Sequence, residues 1–180
     1  KKNPEQVNIS NAGVGSSSHL IAALFANAAG IKVTQVAYKG AGPALVDVIG
    51  GQVDGMFDQT NTALPQIQQK KVKALAVTSK VRLPQLKDVP TLSETVIPGF
   101  EASTWYGIYA PKGTPKAMLD KVQNAYLHVM KDKDYTGKMA AQAIQMLPEK
   151  DYLGASLAQH TEAEVARWRA VAAKSGLTLE

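Results

Sequence analysis

Residues 11–20, Asn-Ala-Gly-Val-Gly-Ser-Ser-Ser-His-Leu, set two glycines and three successive serines between a short β-prone run and an apolar one that begins at Leu20. Serines near a histidine could be a nucleophile with its base, and glycines ahead of a helix could cradle a phosphate or another anion. A P-loop needs Gly-x-x-x-x-Gly-Lys-Ser/Thr, whose lysine reaches the terminal phosphates, and no such lysine follows Gly13 or Gly15. A dinucleotide loop would carry a third glycine where Ser18 stands, to let helix and strand pack closely. The hydrolase elbow Gly-x-Ser-x-Gly is absent from the sequence. Nothing ties His19, His128 or His160 to the serines as a positioned base, and their scatter lacks zinc-ligand spacing, so each reads as packing or surface. No catalytic residue, metal site or cofactor is assigned, and the chain is not read as an enzyme.

What the stretch retains is a helix start. The first turn of a helix has unpaired N–H groups and a partial positive charge, so a carboxylate or phosphate held there gains hydrogen bonds and a favourable dipole. Gly13 and Gly15 would let backbone approach the anion, and the Ser16 and Ser17 hydroxyls could donate to it or simply cap the helix. A second loop, residues 37–47, again joins a strand to a helix and carries Tyr38, Lys39 and Gly40; Lys39 attracts an acid or is merely solvated. A third, residues 57–61, puts Asp58 among polar neighbours at a strand end. In open α/β sheets ligands sit beyond the carboxyl ends of the strands, and all three loops are predicted to lie there.

The elements that would hold these loops follow from the rhythm of the chain. Short β-prone runs at 7–9, 33–37, 55–57 and 72–77 alternate with helical patterns at 17–29, 43–49 and 63–70. This predicts an α/β unit with a mainly parallel sheet. The first helix shows Leu20, Leu24 and Ala28 on one stripe and stops at Gly30. From 79 to 100 three prolines mark an irregular connection. Beyond it, Trp105-Tyr106-Gly107-Ile108-Tyr109-Ala110 is β-prone, Thr114 reads as an N-cap with Pro115 at N1, and helices are expected at 115–130 and 132–143. A last helix opens near Pro148, with Leu153, Leu157, Val165, Trp168 and Ala172 on its core face until Gly176.

The 180 residues, 45% hydrophobic, can bury a substantial core. Nothing approaches the roughly 18 apolar residues of a membrane span, and zero cysteines exclude a disulfide frame and a thiol nucleophile. The net charge of +5 is dispersed; its densest cluster, Lys70, Lys71 and Lys73, suits a solvated helix C-terminus better than a nucleic-acid patch. The opening Lys-Lys-Asn-Pro reads as the end of a helix stopped by proline, which suggests a piece of a longer protein.

Several short motifs in order carry a resemblance. They are residues 12–20 (AGVGSSSHL), 38–44 (YKGAGPA), 50–58 (GGQVDGMFD), 74–79 (ALAVTS), 88–91 (DVPT), 98–101 (PGFE) and 110–115 (APKGTP). From Lys2 to its end the chain resembles the Bug-type solute receptors of tripartite tricarboxylate transporters. The resemblance implies a periplasmic-binding-protein-like α/β fold (type II), with one complete α/β lobe over 1–102 and, over 103–180, a C-terminal segment returning to an N-terminal lobe of which nothing is present. It also implies periplasmic capture of a small carboxylate for membrane transporter subunits, without nucleic acid. The loop would be Asn11, Ala12, Gly13, Gly15, Ser16 and Ser17, with Tyr38, Lys39, Gly40 and Asp58 lining the cleft. Asp58 would select an amino or hydroxyl group, bind through water, or serve only as a turn residue. The acidic residue usual after the small pair of the first helix is missing, Leu24-Phe25 following Ala23. Self-association, exchange of segments or pairing with a separate N-terminal piece is expected, because Trp105, Tyr106 and Trp168 would lack a sheet to cover. The alternative functions are a ligand-sensing domain of a regulator, which would bring a DNA-binding segment, and an anion-handling hydrolase.

Overall fold

A computed structural model describes residues 7–152 and 154–175. They fall into two compact units, the first formed by 7–104 with 166–175 and the second by Trp105–Val165. The first is built on three parallel strands in the order β2-β1-β3, with β1 Asn8–Asn11, β2 Thr34–Ala37 and β3 Gly55–Met56. Asn11 is opposite Ala37, and Ile9 opposite Gly55. The central strand carries polar residues in its buried half: Ser10 and Asn11 are both fully buried. A small residue at 10 lets the helix that carries Ala44 approach, and the Ser10 hydroxyl lies 3.4 Å from both Ala44 O and Gly55 O.

Helix α1, Ser17–Ala29, has the bounds that the sequence predicts, because a local signal closes each end. Ser16 caps the start by accepting the His19 N–H, and Gly30 ends it in the left-handed region at φ 62°. Its buried side centres on Ile21, Ala22 and Ala23; Leu20 and Leu24 are half-buried and Ala28 is exposed. Helix α2, Ala41–Ile49, starts two residues before the expected Pro43, which sits in its first turn where a missing N–H costs nothing. Helix α3, Thr60–Gln68, is displaced toward the N-terminus from the expected 63–70 and holds Pro65. Beyond it Lys70 takes a left-handed φ of 58°, with Lys70 N–H on Ile67 O and Lys71 N–H on Gln66 O closing the helix. The lysine cluster is thus an exposed helix end.

Two expected strands do not form. Residues 72–77 make only one parallel bridge, Val77 to Thr91, and 105–110 make no ladder among the described residues. β-Propensity expresses how well a side chain fits a paired, half-buried surface, and neither segment has a neighbouring strand to supply one. The connection from 79 to 100 holds a 3-10 turn, Pro84–Leu86, and the single-turn α4, Leu92–Thr95, which Thr91 and Glu94 close with a reciprocal capping box. The core gathers Ile21, Leu92, Phe100 and Ala102, flanked by Leu24, Phe25, Phe57 and Trp168. Phe25 meets Phe57 at 5.3 Å and Phe100 edge-on at 6.4 Å.

The second unit contains α5, Lys116–Met130, α6, Lys133–Ala141, and the first part of α7, Gly154–Ser175. Thr114 is not the N-cap: its hydroxyl donates to Pro111 O, and Pro115 occupies the cap position, so α5 begins one residue later than expected. α6 does begin at an Asp132 cap, which accepts the Tyr135 N–H at 2.9 Å. No residue of α5 or α6 is buried. Trp105 stacks edge-on to His160 at 4.8 Å, and the Tyr109 and Thr161 hydroxyls are 2.7 Å apart. Along α7, Val165 faces solvent at 44% exposure against expectation, whereas Ala172 is buried and the half-buried Trp168 joins the first unit's core. There the Arg167 guanidinium donates to Glu101 O, and Asn27 to the Ser175 hydroxyl at 2.6 Å. Leu153, Gly176 and the opening Lys-Lys-Asn-Pro lie outside the described residues.

Candidate functional site

With three parallel strands, the segments after β1, β2 and β3 emerge on one edge of the sheet. The segment after the central strand is residues 12–16, leading into α1. It is tied to the segment after β2 by backbone bonds: Tyr38 N–H donates to Asn11 O at 3.0 Å, and Gly40 N–H to Ala12 O at 3.1 Å. Gly13 is required here twice over. Its φ is 128°, and a Cβ would stand 3.2 Å from Tyr38 O.

The loop satisfies most of its own polar groups. Gly13 N–H donates to the buried Asn11 Oδ1 at 3.0 Å, and Gly15 N–H to His19 Nδ1 at 3.2 Å. Ala12 N–H donates to Ser18 Oγ at 2.9 Å, and Ser16 Oγ donates to Gly13 O at 2.6 Å. The two hydroxyls are 3.1 Å apart. Because the Ser16 proton is committed to a carbonyl, the proton between them belongs to Ser18. A single directed chain therefore runs from Ala12 N–H through Ser18 and Ser16 to Gly13 O. The Gly13 and Gly15 N–H groups and the Ser16 hydroxyl, expected to meet an anion, are turned into the loop. The N–H groups of Val14, Ser17 and Ser18 and the Ser17 hydroxyl have no partner among the described residues.

The other expected residues fall around this edge. Lys39 is exposed. The Tyr38 hydroxyl donates to Asp47 Oδ2 at 2.6 Å, so the ring is tethered toward α2, and that bond raises its pKa above the ordinary phenol value. Asp58, just past β3, accepts the Gln59 N–H on Oδ1 at 2.8 Å, and its Oδ2 is buried without a partner. Burial pushes the carboxyl up, against the opposing pull of Thr62 and the Gln59 N–H. The Thr62 hydroxyl itself donates to Gln59 O at 3.0 Å, which leaves the Gln59 N–H as the bond Asp58 receives.

Two residues that sequence reasoning passed over build this loop. Ser18 bridges its two ends, and His19, only 7% exposed, holds its middle. Burial lowers the His19 pKa from its ordinary value. The available signal was a glycine four residues before a histidine in the first turn of a helix, close enough for the ring to fold back onto the loop. Among the described residues no group of three acidic or histidine side chains could hold a metal, and no helix is long and apolar enough to cross a membrane. Two open hollows, about 560 Å³ between residues 70–74 and Val89 and about 380 Å³ near residues 108–114, do not include the strand-end loops.

A parallel sheet with ligand-facing loops at its carboxyl edge is the arrangement of periplasmic binding proteins, and comparison with known proteins narrows it. Residues 1–177 match the family model described as tripartite tricarboxylate transporter family receptor, and the chain belongs to that family. It is 38% identical over 176 residues to a UPF0065 protein of Agrobacterium vitis from the TAR-I ttuE-ttuC' intergenic region, covering 98% of this chain and 51% of the relative. BugT of Bordetella pertussis is 30% identical over 100% of this chain and 54% of its own length. The chain thus spans about half the length of these curated relatives. Among solved structures, the periplasmic binding protein BugD superposes with a TM-score of 0.89 at 36% identity, covering 99% of this chain and 60% of that one. MatC from Rhodopseudomonas palustris with bound malate gives 0.84 at 32% identity, over 94% and 57%. R. palustris Rpa4515 with adipate gives 0.86 at 29% identity, over 98% and 58%.

Proposed function

We propose that this chain supplies one face of an extracytoplasmic receptor that captures a small carboxylated solute, without converting it, for the membrane subunits of a tripartite tricarboxylate-type transporter. The observation that carries the reading is the start of α1, where the Ser17 and Ser18 N–H groups and the Ser17 hydroxyl have no partner among the described residues and the loop before them is braced by Ser18 and His19. A carboxylate there gains charge-assisted hydrogen bonds and the helix dipole. The malate and adipate in two family structures support that ligand class. Lys39 adds attraction from the neighbouring loop, and Asp58 selects a hydroxyl or ammonium group on the solute. Residues 1–102 serve as the ligand-facing lobe, with 166–175 packed on it, and of the segment 103–180 expected to return to the other lobe of the intact receptor it is the part up to Val165 that does so. Its site is the periplasm, where cell fractionation would find it. Calorimetry of the intact protein with dicarboxylates, amino acids and aromatic acids tests the reading. Saturable binding without turnover supports it; no binding across the panel, or turnover, overturns it.

A further inference from the structure

We propose that His19 is the positioning residue of this loop, its neutral imidazole fixing through Nδ1 which backbone donors face the solute. The inference rests on the carboxylate reading above and adds a residue to it. An amide N–H can only donate, so Nδ1 at 3.2 Å from Gly15 N must carry no proton, and the ring proton sits on Nε2. Burial favours that neutral form. The same residue's backbone N–H donates to Ser16 Oγ at 3.3 Å, so His19 grips the loop at Gly15 and again at the helix cap.

The consequence is a sorting of donors. Gly15, at φ 77°, is held with its N–H facing the protein. With Gly13 pinned by Asn11, the loop is held at two of its amides, and the donors left without a partner among the described residues belong to Val14, Ser17 and Ser18. Removing the Nδ1 acceptor frees Gly15 N–H and lets the 13–15 segment turn, so the Val14 N–H loses its placement against the Ser17 and Ser18 donors, which stay with α1.

The test compares three substitutions in the intact protein. His19→Phe keeps the buried ring and removes the acceptor. His19→Asn places Oδ1 where Nδ1 stands, and His19→Gln places its carbonyl a bond too far to reach Gly15. Malate and adipate affinities by calorimetry and Gly15 amide exchange by NMR are read together, with thermal melting to show that each variant folds. In His19→Phe and His19→Gln the Gly15 amide is expected to exchange about tenfold faster or more, and affinity to fall about tenfold. His19→Asn restores both. Wild-type affinity in His19→Phe, or a His19→Asn protein whose Gly15 amide is protected while affinity stays low, overturns the proposal. If one variant fails to fold, the other acceptor-less one is read in its place. If the wild type binds neither acid, nor any other carboxylate tried, the carboxylate reading falls and the solute half of the proposal falls with it. The exchange rates of the Phe and Asn variants still decide whether His19 holds the loop.

Discussion

The two units answer the same problem differently. In the first, Leu24, Phe25, Phe57 and Trp168 pack against a core of Ile21, Leu92, Phe100 and Ala102, and even the polar Ser10 and Asn11 of the central strand are buried. In the second, two helices of 15 and 9 residues contain no fully buried residue, and Tyr106, Ile108 and Tyr109 are each at least 60% exposed. The first unit encloses a cluster of apolar residues within this chain, although Leu75, Val14 and Val46 still lie on its surface. The second has helices and an aromatic run that leave Met118, Leu119, Val122 and Val129 on the surface and Leu127, Met130 and Met139 only half-buried. The curated relatives are about twice the length of this chain, and the contrast in burial makes the second unit the one whose surface is most worth testing.

The sharpest way to break that contrast is to produce the 180 residues alone. Exposed apolar patches seek cover, so sedimentation velocity is expected to show concentration-dependent self-association; a monomer at every concentration would mean that the second unit's surface is tolerated as it stands. Next comes a pair of truncations. Phe100→Ala, in the first unit's core, should cost about 3–5 kcal/mol in urea unfolding, whereas Ile108→Ser, at a position 65% exposed, should stay within about 0.5 kcal/mol. Equal costs would erase the distinction between the units.

A third prediction concerns the loop. Gly15→Asp puts a carboxylate and a side chain at φ 77° beside the proposed anion site, so affinity for malate or adipate in the intact protein should fall at least about tenfold. Unchanged affinity would remove the loop from the site.

The smallest effects are in pH. The His19 pKa is lowered on folding, so the unfolded chain binds the extra proton; its stabilising contribution is complete above about pH 6.5 and declines as the pH falls toward the folded value. Asp58 is raised on folding, so its contribution is complete below about pH 4 and declines as the pH rises through the folded value. Urea titrations should therefore show Asp58→Asn gaining on the wild type as pH rises, and His19→Asn gaining as pH falls below 6.5. Parallel curves would mean that neither group is held as the structure has it.

How much was legible in the sequence follows from where each signal resides. Helix α1 was readable to the residue because Ser16 and Gly30 close it locally. The three strand-end loops were readable as a group, since alternating strands and helices make a parallel sheet and a parallel sheet puts those loops together. Residues 72–77 and 105–110 look like strands because of their side chains, but a strand exists only with a neighbour, and sequence does not say whether one is at hand. At Thr114 the error is one residue, the hydroxyl turning back to Pro111 rather than forward into α5. The orientation of each N–H was not readable at all. Gly13 and Gly15 suggested open donors, and only the positions of Asn11 and His19 show those donors already engaged.

The directed chain from Ala12 through Ser18 and Ser16 to Gly13 has a kinetic meaning. Every proton in it has one place to go, so at the proposed site an arriving anion would meet the unpartnered Ser17 and Ser18 amides without first breaking a bond inside the loop. A site of that kind loses little freedom on binding. Its encounter rate should then be set by diffusion and charge, and differences among solutes should appear in how slowly they leave.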